Sequence, residues 1–298
     1  MTTERRNPRS VDIDLFPTDR ILRIINAEDA MVPSIVAAAI PDIAKLVNVA
    51  IETIRAGGHV IYVGAGTSGR IAVTDAAEIP PTFSSPPEWI QAVLAGGPKA
   101  FDRAIEGLED DGDKAATDLK ARKLTKNDLV IGIAATGTTP YTLAALKIAK
   151  TKEAKTAAIV CIENTPMSRL ADITICLAVG PEIISGSTRM KAGTAQKLVL
   201  NMLSTAIMIR LGMTYSNWMI NVGMTNQKLR ERGKHILQEI LGVKPNDAEK
   251  LVEASGANLK VAVVMGATGC ERKVAEQRLA AANGNLRNVL GHLGSGRE

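Results

Sequence analysis

A short apolar run that leads directly into a glycine-rich loop constrains the fold of this chain more than any other feature. His59–Val63 (HVIYV) has the β-branched, apolar character of a strand buried in a parallel sheet. Gly57 and Gly58 end the preceding helix, Gly64–Gly69 (GAGTSG) form the loop, and a helix is predicted from about Gly69. A strand, a tight loop and a helix in this order are typical of folds in which parallel strands alternate with helices.

Four more apolar runs predict further strands. They are Trp89–Leu94, Asp128–Ile133, Ala157–Cys161 and Ile173–Val179. The loop Ala134–Thr139 follows one of these strands, and Pro140 sits in the first turn of the helix predicted after it. Strands and helices that alternate at these lengths predict an α/β fold with a doubly wound parallel sheet, which binds ligands at the carboxyl ends of its strands.

Helical patterns are also predicted before and after the sheet, and the chain divides into three regions. Residues 1–56 form helices that pack on the core, residues 57–240 form the sheet domain with a long helix at about Ser187–Leu211, and residues 241–298 form a small UBA-like helical module. Within this module, Glu249–Lys260 and Glu276–Arg287 resemble each other at an offset of 27. Two copies are too few for a solenoid, so a compact set of three or four helices is expected.

Composition and residue spacing exclude several classes of function. The 36 Lys and Arg against 31 Asp and Glu are spread along the chain, and aromatic residues make up only 3%, so nucleic-acid binding is not expected. The three cysteines form no CxxC pair and the three histidines are far apart, which argues against disulfides and metal sites and favours a reducing cytoplasm. The polar residues 1–10 and the short apolar window Leu198–Leu211 predict neither a secretory signal nor a membrane span.

Gly64–Gly69 match the pattern GxGxxG, which is the sequence form of a dinucleotide site. Such a site also requires an acidic residue about 20 positions further on, at the end of the next strand. Glu78 precedes Pro80, and Glu88 begins the next predicted strand instead of ending it. The sequence therefore disfavours a dinucleotide.

A phosphomonoester suits this loop better. Gly66 lets backbone N–H groups approach an anion, and Thr67 and Ser68 add hydroxyl donors at a helix N-terminus. The loop after the strand Asp128–Ile133 repeats this chemistry with three hydroxyls, those of Thr136, Thr138 and Thr139. The alternative is that these hydroxyls only cap the helices that follow.

Three longer stretches carry a resemblance to a known family: Gly64–Phe83 (GAGTSGRIAVTDAAEIPPTF), Gly132–Tyr141 (GIAATGTTPY) and Glu182–Leu203 (EIISGSTRMKAGTAQKLVLNML). With them, the chain from about Arg20 onward resembles the sugar isomerase (SIS) domain. It resembles more closely the N-acetylmuramic acid 6-phosphate etherases, a family related to glucokinase regulatory protein. The resemblance implies an SIS-type phosphosugar domain. The family usually has Arg where this chain has Thr138, so a substrate contact there is lost or comes from another residue.

The resemblance also implies a reaction and the two carboxylates that carry it. The family removes D-lactate from a sugar ether and leaves N-acetylglucosamine 6-phosphate, in the recycling of peptidoglycan sugars. One group takes the proton beside the aldehyde of the opened sugar and another protonates the lactyl oxygen, so no metal or organic cofactor is implied. By the resemblance, Glu78 is the proton donor and Glu109 the second catalytic carboxylate, both acting on one sugar. Residue spacing alone would assign both to solvated surfaces.

Ser185–Lys191, which open the predicted long helix, supply the remaining candidate substrate contacts. Arg189 and Lys191 place positive charge at a helix start, where the macrodipole disfavours it, and this makes sense if they face the phosphate or the lactyl carboxylate. Ser185 and Ser187 add hydroxyls to the same segment. The alternative is that the two cations lie on the surface and the hydroxyls cap the helix.

Two other functions stay open beside the lyase. An aldose–ketose phosphosugar isomerase shares proton abstraction beside a carbonyl but needs no site for a lactyl carboxylate. A non-catalytic phosphosugar-sensing regulator is the second, and it is disfavoured because the chain has length for only one phosphosugar domain. The expected partners are a small phosphosugar and a second copy of the chain, since SIS-type folds commonly pair. The sequence leaves open whether the sites share residues across that interface.

Overall fold

The computed structural model describes residues 3–224 and 226–291. These residues form seven strands and fourteen α-helices, preceded by 3₁₀ turns at Pro8–Ser10 and Ile13–Leu15. The strands are β1 Val60–Gly64, β2 Ile90–Leu94, β3 Leu129–Ile133, β4 Lys155–Val160, β5 Ile173–Cys176, β6 Thr214–Tyr215 and β7 Trp218–Met219. The helices are α1 Thr18–Asp29, α2 Val32–Ala38, α3 Ile40–Arg55, α4 Gly66–Phe83, α5 Lys99–Asp102, α6 Gly112–Ala121, α7 Pro140–Thr151, α8 Pro166–Leu170, α9 Lys191–Arg210, α10 Gln227–Leu241, α11 Pro245–Ala254, α12 Leu259–Thr268, α13 Arg272–Ala281 and α14 Leu286–Leu290.

Strands β1 to β5 form one parallel sheet in the order β2-β1-β3-β4-β5. β1 pairs with β2 on one side and with β3 on the other, so that Gly64 is aligned with Leu94 and with Ile133. The direction in which strands are added reverses between β1 and β3, and doubly wound sheets bind their ligands in the crevice at such a point. The predicted α/β class and doubly wound parallel sheet are confirmed.

Helices cover both faces of the sheet, which explains why its central strands β1 and β3 are apolar and buried along their whole length. One face packs against α6, α7 and α8 in a single buried cluster. That cluster includes Ile61, Val63, Val130, Leu119, Tyr141, Leu146 and Met167. On β1, Tyr62 lies between Ile61 and Val63, points to the opposite face and is also fully buried. α3 packs against β1, β3 and β5. A strand buried on both faces loses the alternation of apolar and polar residues.

The predicted strands agree with the structure to within three residues at their ends, with β5 ending at Cys176 instead of Val179, and α4 begins at Gly66, three residues before its predicted start. The long helix differs more, because α9 begins at Lys191 instead of near Ser187. α4 continues through Pro80 and Pro81 to Phe83, and the N–H of Ser84 donates to the Pro80 carbonyl at 2.8 Å. α6 and the β6–β7 hairpin have no counterpart among the predicted elements, and the two-residue strands of the hairpin are too short to give a periodic pattern.

The described residues group into two compact units. The first contains the residues up to Ala77 together with Pro87–Thr205, and it holds the whole parallel sheet. The second contains Glu78–Pro86 together with the residues from Ala206 onward. The division into regions 1–56, 57–240 and 241–298 stays a prediction.

The second unit contains the two resembling stretches, and they have the same local structure. Asn258 accepts a hydrogen bond from the N–H of Val261 at the start of α12, and Asn285 accepts one from the N–H of Arg287 at the start of α14. An asparagine cap of this kind satisfies N–H groups that the first helical turn leaves free. Val252 and its counterpart Leu279 are both buried in the core of this unit. The repeat seen in the sequence is therefore a helix, a turn and an asparagine-capped helix, used twice.

Lys260 in the first copy binds the second copy. Its Nζ donates to the carbonyl of Gly284 at 2.7 Å, and the side chain is buried. Burial lowers the pKa of Lys260 to about 8, because an ammonium is poorly solvated in an apolar setting. The two copies are therefore joined by a polar contact inside an otherwise apolar core.

Three further features were at issue in the sequence: membrane spans, disulfides and metal sites. The part of the chain that the structure describes bears on each of them. No single helix there is both long and apolar enough to cross a bilayer, although the bent pair Thr18–Ala38 and Ile40–Arg55 meets both criteria when taken together. Cys161, Cys176 and Cys270 are free. Residues 3–224 and 226–291 contain no group of three His, Cys, Asp or Glu side chains that could hold a metal ion.

Candidate active site

The two hydroxyl-rich loops lie side by side at the carboxyl end of the sheet. Gly64 and Ile133, the last residues of β1 and β3, are aligned partners. α4 begins at Gly66, almost directly after β1, and α7 begins at Pro140, after the loop that follows β3. The N-termini of two helices therefore open at the point where the strand order reverses, which is where N–H groups and helix dipoles favour an anion.

Two glycines of the first loop are required by its geometry. Gly66 has a φ of +51°, in the left-handed region that most side chains avoid. A Cβ on Gly69 would lie 2.5 Å from the carbonyl oxygen of Gly64 and from Leu94 Cδ1, so only glycine lets α4 pack this closely on β1. The GxGxxG pattern thus reports a tight strand-to-helix turn, a feature that phosphate sites share with dinucleotide sites.

The first loop is bound to α9, whose first 13 residues are the end of the third motif stretch, Glu182–Leu203. The Ser68 hydroxyl donates to Gln196 Oε1 at 2.9 Å, and both side chains are buried. Gln196 Nε2 is buried without a hydrogen-bond partner. Thr67 lies partly buried beside Gly193, where an added Cβ would be 3.4 Å from its methyl group. Sequence reasoning missed Gln196, because a glutamine in an apolar helix carries no motif of its own.

Two hydroxyls of the second loop are directed at each other and not at the helix that follows. Thr136 Oγ1 and Thr138 Oγ1 are 2.8 Å apart, and both residues are partly buried. Thr139 is the N-cap residue of α7, but its side chain makes no capping hydrogen bond. The alternative that these hydroxyls serve as helix caps is therefore not supported for α7.

Glu109 lies on the wall of a cavity that adjoins the first loop. This cavity has a volume of about 210 Å³ and is lined by Ala65, Gly66, Arg70, Ala95, Ala100, Ala104, Ile105, Glu106, Gly107, Leu108 and Glu109. The carbonyl of Glu109 accepts a hydrogen bond from the N–H of Tyr141 in the first turn of α7, at 2.9 Å. The Tyr141 hydroxyl in turn donates to Asp118 Oδ2 of α6 at 2.7 Å. The main chain at Glu109 is thus attached to the helix that follows the second loop, and its exposed side chain belongs to a cavity that the first loop also lines.

Glu78 lies on the exposed side of α4, and Asp75 anchors the helix one turn before it. The Asp75 carboxylate accepts hydrogen bonds from Asn201 at 2.7 Å and from Ser204 at 3.1 Å, both on α9. Burial raises the pKa of Asp75, and the fully buried Tyr62 hydroxyl faces it. Glu109 belongs to the first compact unit and Glu78 to the second, so their action on one sugar stays a prediction.

Lys191 is expected from the charge pattern to face the phosphate or the lactyl carboxylate, but its side chain is buried inside the protein. Its ammonium is buried, with 1% of the side chain exposed, and it lies 2.6 Å from Glu28 Oε2. The Glu182 carboxylate accepts the N–H groups of Lys191 and Ala192 at 3.0 and 2.9 Å, and it therefore caps α9. Burial raises the pKa of Glu182 although these two donors oppose the shift. The unfavourable charge at the helix start is thus compensated by two carboxylates within the protein, and the structure gives Lys191 no contact with the open crevice.

The segment before α9 is held by residues near the N-terminus. The Ser10 hydroxyl donates to the carbonyl of Ile183 at 2.7 Å, and the N–H of Gly186 donates to the carbonyl of Thr3 at 3.1 Å. Asn7 Nδ2 donates both to Glu28 Oε2 at 2.8 Å and to the carbonyl of Pro181 at 3.2 Å. This leaves Ser185 and Arg189 exposed and Ser187 partly buried, so all three stay available as candidate substrate contacts.

Comparison with known proteins agrees with this arrangement. Residues 42–150 match the family described as the glucokinase regulatory protein N-terminal SIS domain, and residues 111–206 match the SIS domain. The chain is 47% identical to the N-acetylmuramic acid 6-phosphate etherase of Geobacillus thermodenitrificans, over 97% of this chain and 98% of that protein. It is 44% identical to the enzyme of the same name from Bacillus subtilis, over 98% of this chain and 96% of that protein.

Solved structures show the same fold at low sequence identity. A phosphoheptose isomerase from Neisseria gonorrhoeae is 15% identical, with a TM-score of 0.51, and the match covers 64% of this chain and 98% of that chain. A phosphoheptose isomerase from Francisella tularensis is 18% identical, with a TM-score of 0.50 and the same coverage of 64% and 98%. At these identities the likeness establishes the fold and nothing about the reaction.

Proposed function

Since the chain belongs to the N-acetylmuramic acid 6-phosphate etherase family, we propose that it is a carbon–oxygen lyase that cleaves the D-lactyl ether of N-acetylmuramic acid 6-phosphate. The products are N-acetylglucosamine 6-phosphate and D-lactate, as in the recycling of peptidoglycan sugars. The observation that carries this proposal is an identity of 41–47% to etherases over nearly the full length of both chains.

We assign the proton transfers to Glu78 and Glu109. In the open-chain sugar the ether oxygen is β to the aldehyde, so loss of the proton from the second carbon gives an enolate that expels lactate. One carboxylate takes that proton and the other, as the acid, protonates the lactyl oxygen. Water then adds to the unsaturated aldehyde with the two roles reversed. Each positioned acid or base contributes about 10²–10⁴-fold to the rate. Glu109 supports this assignment because it is exposed beside the first loop.

We place the phosphate at the two loops. The N–H groups at the start of α4, with Gly66, Thr67 and Ser68, form one half of this anion site. Thr136, Thr138 and Thr139 form the other half, with hydroxyls where the family usually has Arg at position 138. Hydrogen bonds and helix N-termini then bind the anion without a guanidinium. Ser185, Ser187 and Arg189 are the candidates for the rest of the substrate.

Release of D-lactate is the result that tests the proposed function. Purified protein supplied with N-acetylmuramic acid 6-phosphate is expected to form D-lactate and N-acetylglucosamine 6-phosphate in equal amounts. D-Lactate dehydrogenase coupled to NADH formation measures the first product, and mass spectrometry measures the second. A ketose phosphate formed from an aldose phosphate, with no D-lactate from the ether, would instead establish the isomerase.

We propose that the enzyme is a homodimer. Large apolar side chains near the N-terminus are exposed, with Leu15 76%, Leu22 59% and Ile40 50% accessible, and a second copy would cover such residues. Light scattering is expected to give twice the chain mass of 31.6 kDa, and a single-chain mass would contradict the proposal. A mixture of Glu78→Gln and Glu109→Gln chains then shows whether sites are shared, because only shared sites recover activity on mixing.

We propose that the enzyme works in the cytoplasm. The free cysteines are one support, because three unpaired thiols suit a reducing compartment. The proposed substrate is the other, because a sugar 6-phosphate is a metabolite of the cell interior. A fluorescent fusion that fractionated with the cell envelope would contradict this location.

A further inference from the structure

We propose that Arg70 is a positioning residue that fixes the wall of the Glu109 cavity to the start of α4. The proposal rests on the proposed function for its kinetic effect, but its structural effect can be measured without substrate. Arg70 follows the glycine loop directly and lies in the first turns of α4. Nothing in the sequence singles out Arg70, because arginines are common on protein surfaces near helix starts.

The Arg70 guanidinium donates two hydrogen bonds to main-chain oxygens of the cavity wall, one from Nε and one from a terminal nitrogen. Arg70 Nε donates to the carbonyl of Phe101 at 3.0 Å, and the terminal Nη2 donates to the carbonyl of Arg103 at 3.0 Å. These carbonyls lie at the end of α5, where the chain leaves the helix with Arg103 in an extended conformation. The stretch from Arg103 to Glu106 that follows is exposed and leads to Glu109.

The cavity wall is therefore fixed at both ends, at its beginning by α4 and at its end by α7. Arg70 holds the beginning of the wall to α4, and the N–H of Tyr141 holds its end to α7 through the Glu109 carbonyl at 2.9 Å. Leu108 packs into the apolar cluster beneath the wall. A change at Arg70 releases the first of these attachments and leaves the other two in place.

The geometry of an arginine suits this attachment. Its planar guanidinium presents several N–H donors in a rigid fork, which lets two carbonyls two residues apart be bound at once. A lysine keeps the charge but offers a single, mobile ammonium. The Arg70→Lys variant therefore separates the geometry of the fork from its charge.

The experiment compares Arg70→Lys with Arg122→Lys in the full-length protein. Arg122 is the matched control, because its guanidinium also donates to a main-chain oxygen, that of Ala92 in β2 at 3.1 Å. Hydrogen exchange without substrate is expected to quicken about fivefold or more at the hydrogen-bonded amides of Ala100, Phe101 and Asp110 in Arg70→Lys and to stay unchanged there in Arg122→Lys. The melting temperatures of both variants report whether either has lost global stability.

The kinetic arm measures how the loosened wall affects turnover. Because a misplaced proton-transfer group lowers turnover more than binding, Arg70→Lys is expected to lower kcat by about 10- to 100-fold and to change KM less than about threefold. Unchanged exchange at the amides of Ala100, Phe101 and Asp110 overturns the positioning role, as does a rise in KM with kcat intact, which would mean that Arg70 binds the substrate itself. If the wild type releases no D-lactate, the proposed function fails, and the exchange comparison still decides the role of Arg70.

Discussion

Glu78→Gln is expected to stop D-lactate release while the protein still binds its phosphosugar. The amide keeps the size of the carboxyl group but can no longer exchange a proton with the lactyl oxygen, so turnover falls by about 10²–10⁴-fold. Phosphate binding is expected to persist, because Glu78 lies outside the two loops at which the phosphate site is proposed. A coupled D-lactate assay measures the first effect, and calorimetric titration with N-acetylglucosamine 6-phosphate measures the second.

Glu88→Gln is the matched control for this experiment. Glu88 is also exposed and precedes β2, but the proposed reaction gives it no role. Its replacement is expected to leave turnover within about twofold of the wild type, as for other surface substitutions. If Glu78→Gln behaves like Glu88→Gln, the assignment of Glu78 is wrong. If neither variant nor the wild type turns over while all bind the phosphosugar, the non-catalytic regulator is the better description.

Deuterium exchange then decides which proton each carboxylate transfers. If Glu78 protonates the leaving oxygen, Glu78→Gln in D₂O still exchanges the proton on the second sugar carbon, although no lactate leaves. Glu109→Gln would then prevent both the exchange and the elimination. The opposite pattern of exchange assigns the roles the other way round. Mass spectrometry of the recovered substrate measures the label.

Lys191→Met is expected to destabilise the protein by about 3–5 kcal/mol, because it leaves a buried carboxylate without its ammonium. The Lys191 and Glu28 side chains are 1% and 3% exposed, and their charged atoms are 2.6 Å apart. Glu28 would retain hydrogen bonds from Asn7 at 2.8 Å and Arg9 at 3.0 Å, but the Arg9 side chain is largely exposed. Urea unfolding followed by circular dichroism measures the change in the free energy of unfolding.

Lys45→Met provides the control for a surface pair. Lys45 lies 2.8 Å from Asp42, with 68% and 46% of the two side chains exposed, so its loss is expected to cost at most about 1 kcal/mol. Equal effects of Lys191→Met and Lys45→Met would contradict the structural role given to the buried pair. The double variant Glu28→Gln with Lys191→Met is expected to recover part of the loss, because it removes the unpaired charge.

The cost of Lys191→Met also depends on pH in a definite direction. Burial alone would raise the pKa of Glu28, but hydrogen bonds from Lys191, Asn7 and Arg9 hold it below its ordinary value. Its ionised form therefore stabilises the wild type above the pKa of an unfolded glutamate, about 4.3, and this stabilisation is lost as the pH falls through the lower folded value. The difference between the wild type and Lys191→Met is accordingly largest near neutral pH and shrinks in acid.

The sequence could predict the sheet because each strand has its own local signal. β1 is an unbroken apolar run with glycines on either side, and β3 has the same character, so the α/β class follows from short windows. The order of strands across the sheet depends on packing between distant residues and carries no such signal. α6 was missed because Gly112–Ala121 is short and polar, with only Ala115 and Leu119 buried.

The candidate site was predictable only where a motif carries the chemistry. The glycine loop and the threonine loop are recognisable because backbone geometry restricts their residues to a few types. Lys191 illustrates the opposite case, since its partner Glu28 is 163 positions away and a charge pattern along one helix cannot reveal it. The roles of Gln196 and Arg70 could not be predicted for the same reason, because their hydrogen-bond partners belong to other elements.

The contact between Lys260 and Gly284 changes what kind of duplication the second unit contains. In arrays that lengthen by adding units, each unit meets only its neighbours through one recurring surface, and a further unit can always be appended. Here the ammonium of one half is satisfied by a turn in the other, and Arg287, which replaces Lys260 in the second half, lies over the Tyr215 ring instead. The two halves thus differ and depend on each other, so a third copy could not be appended through the same contact.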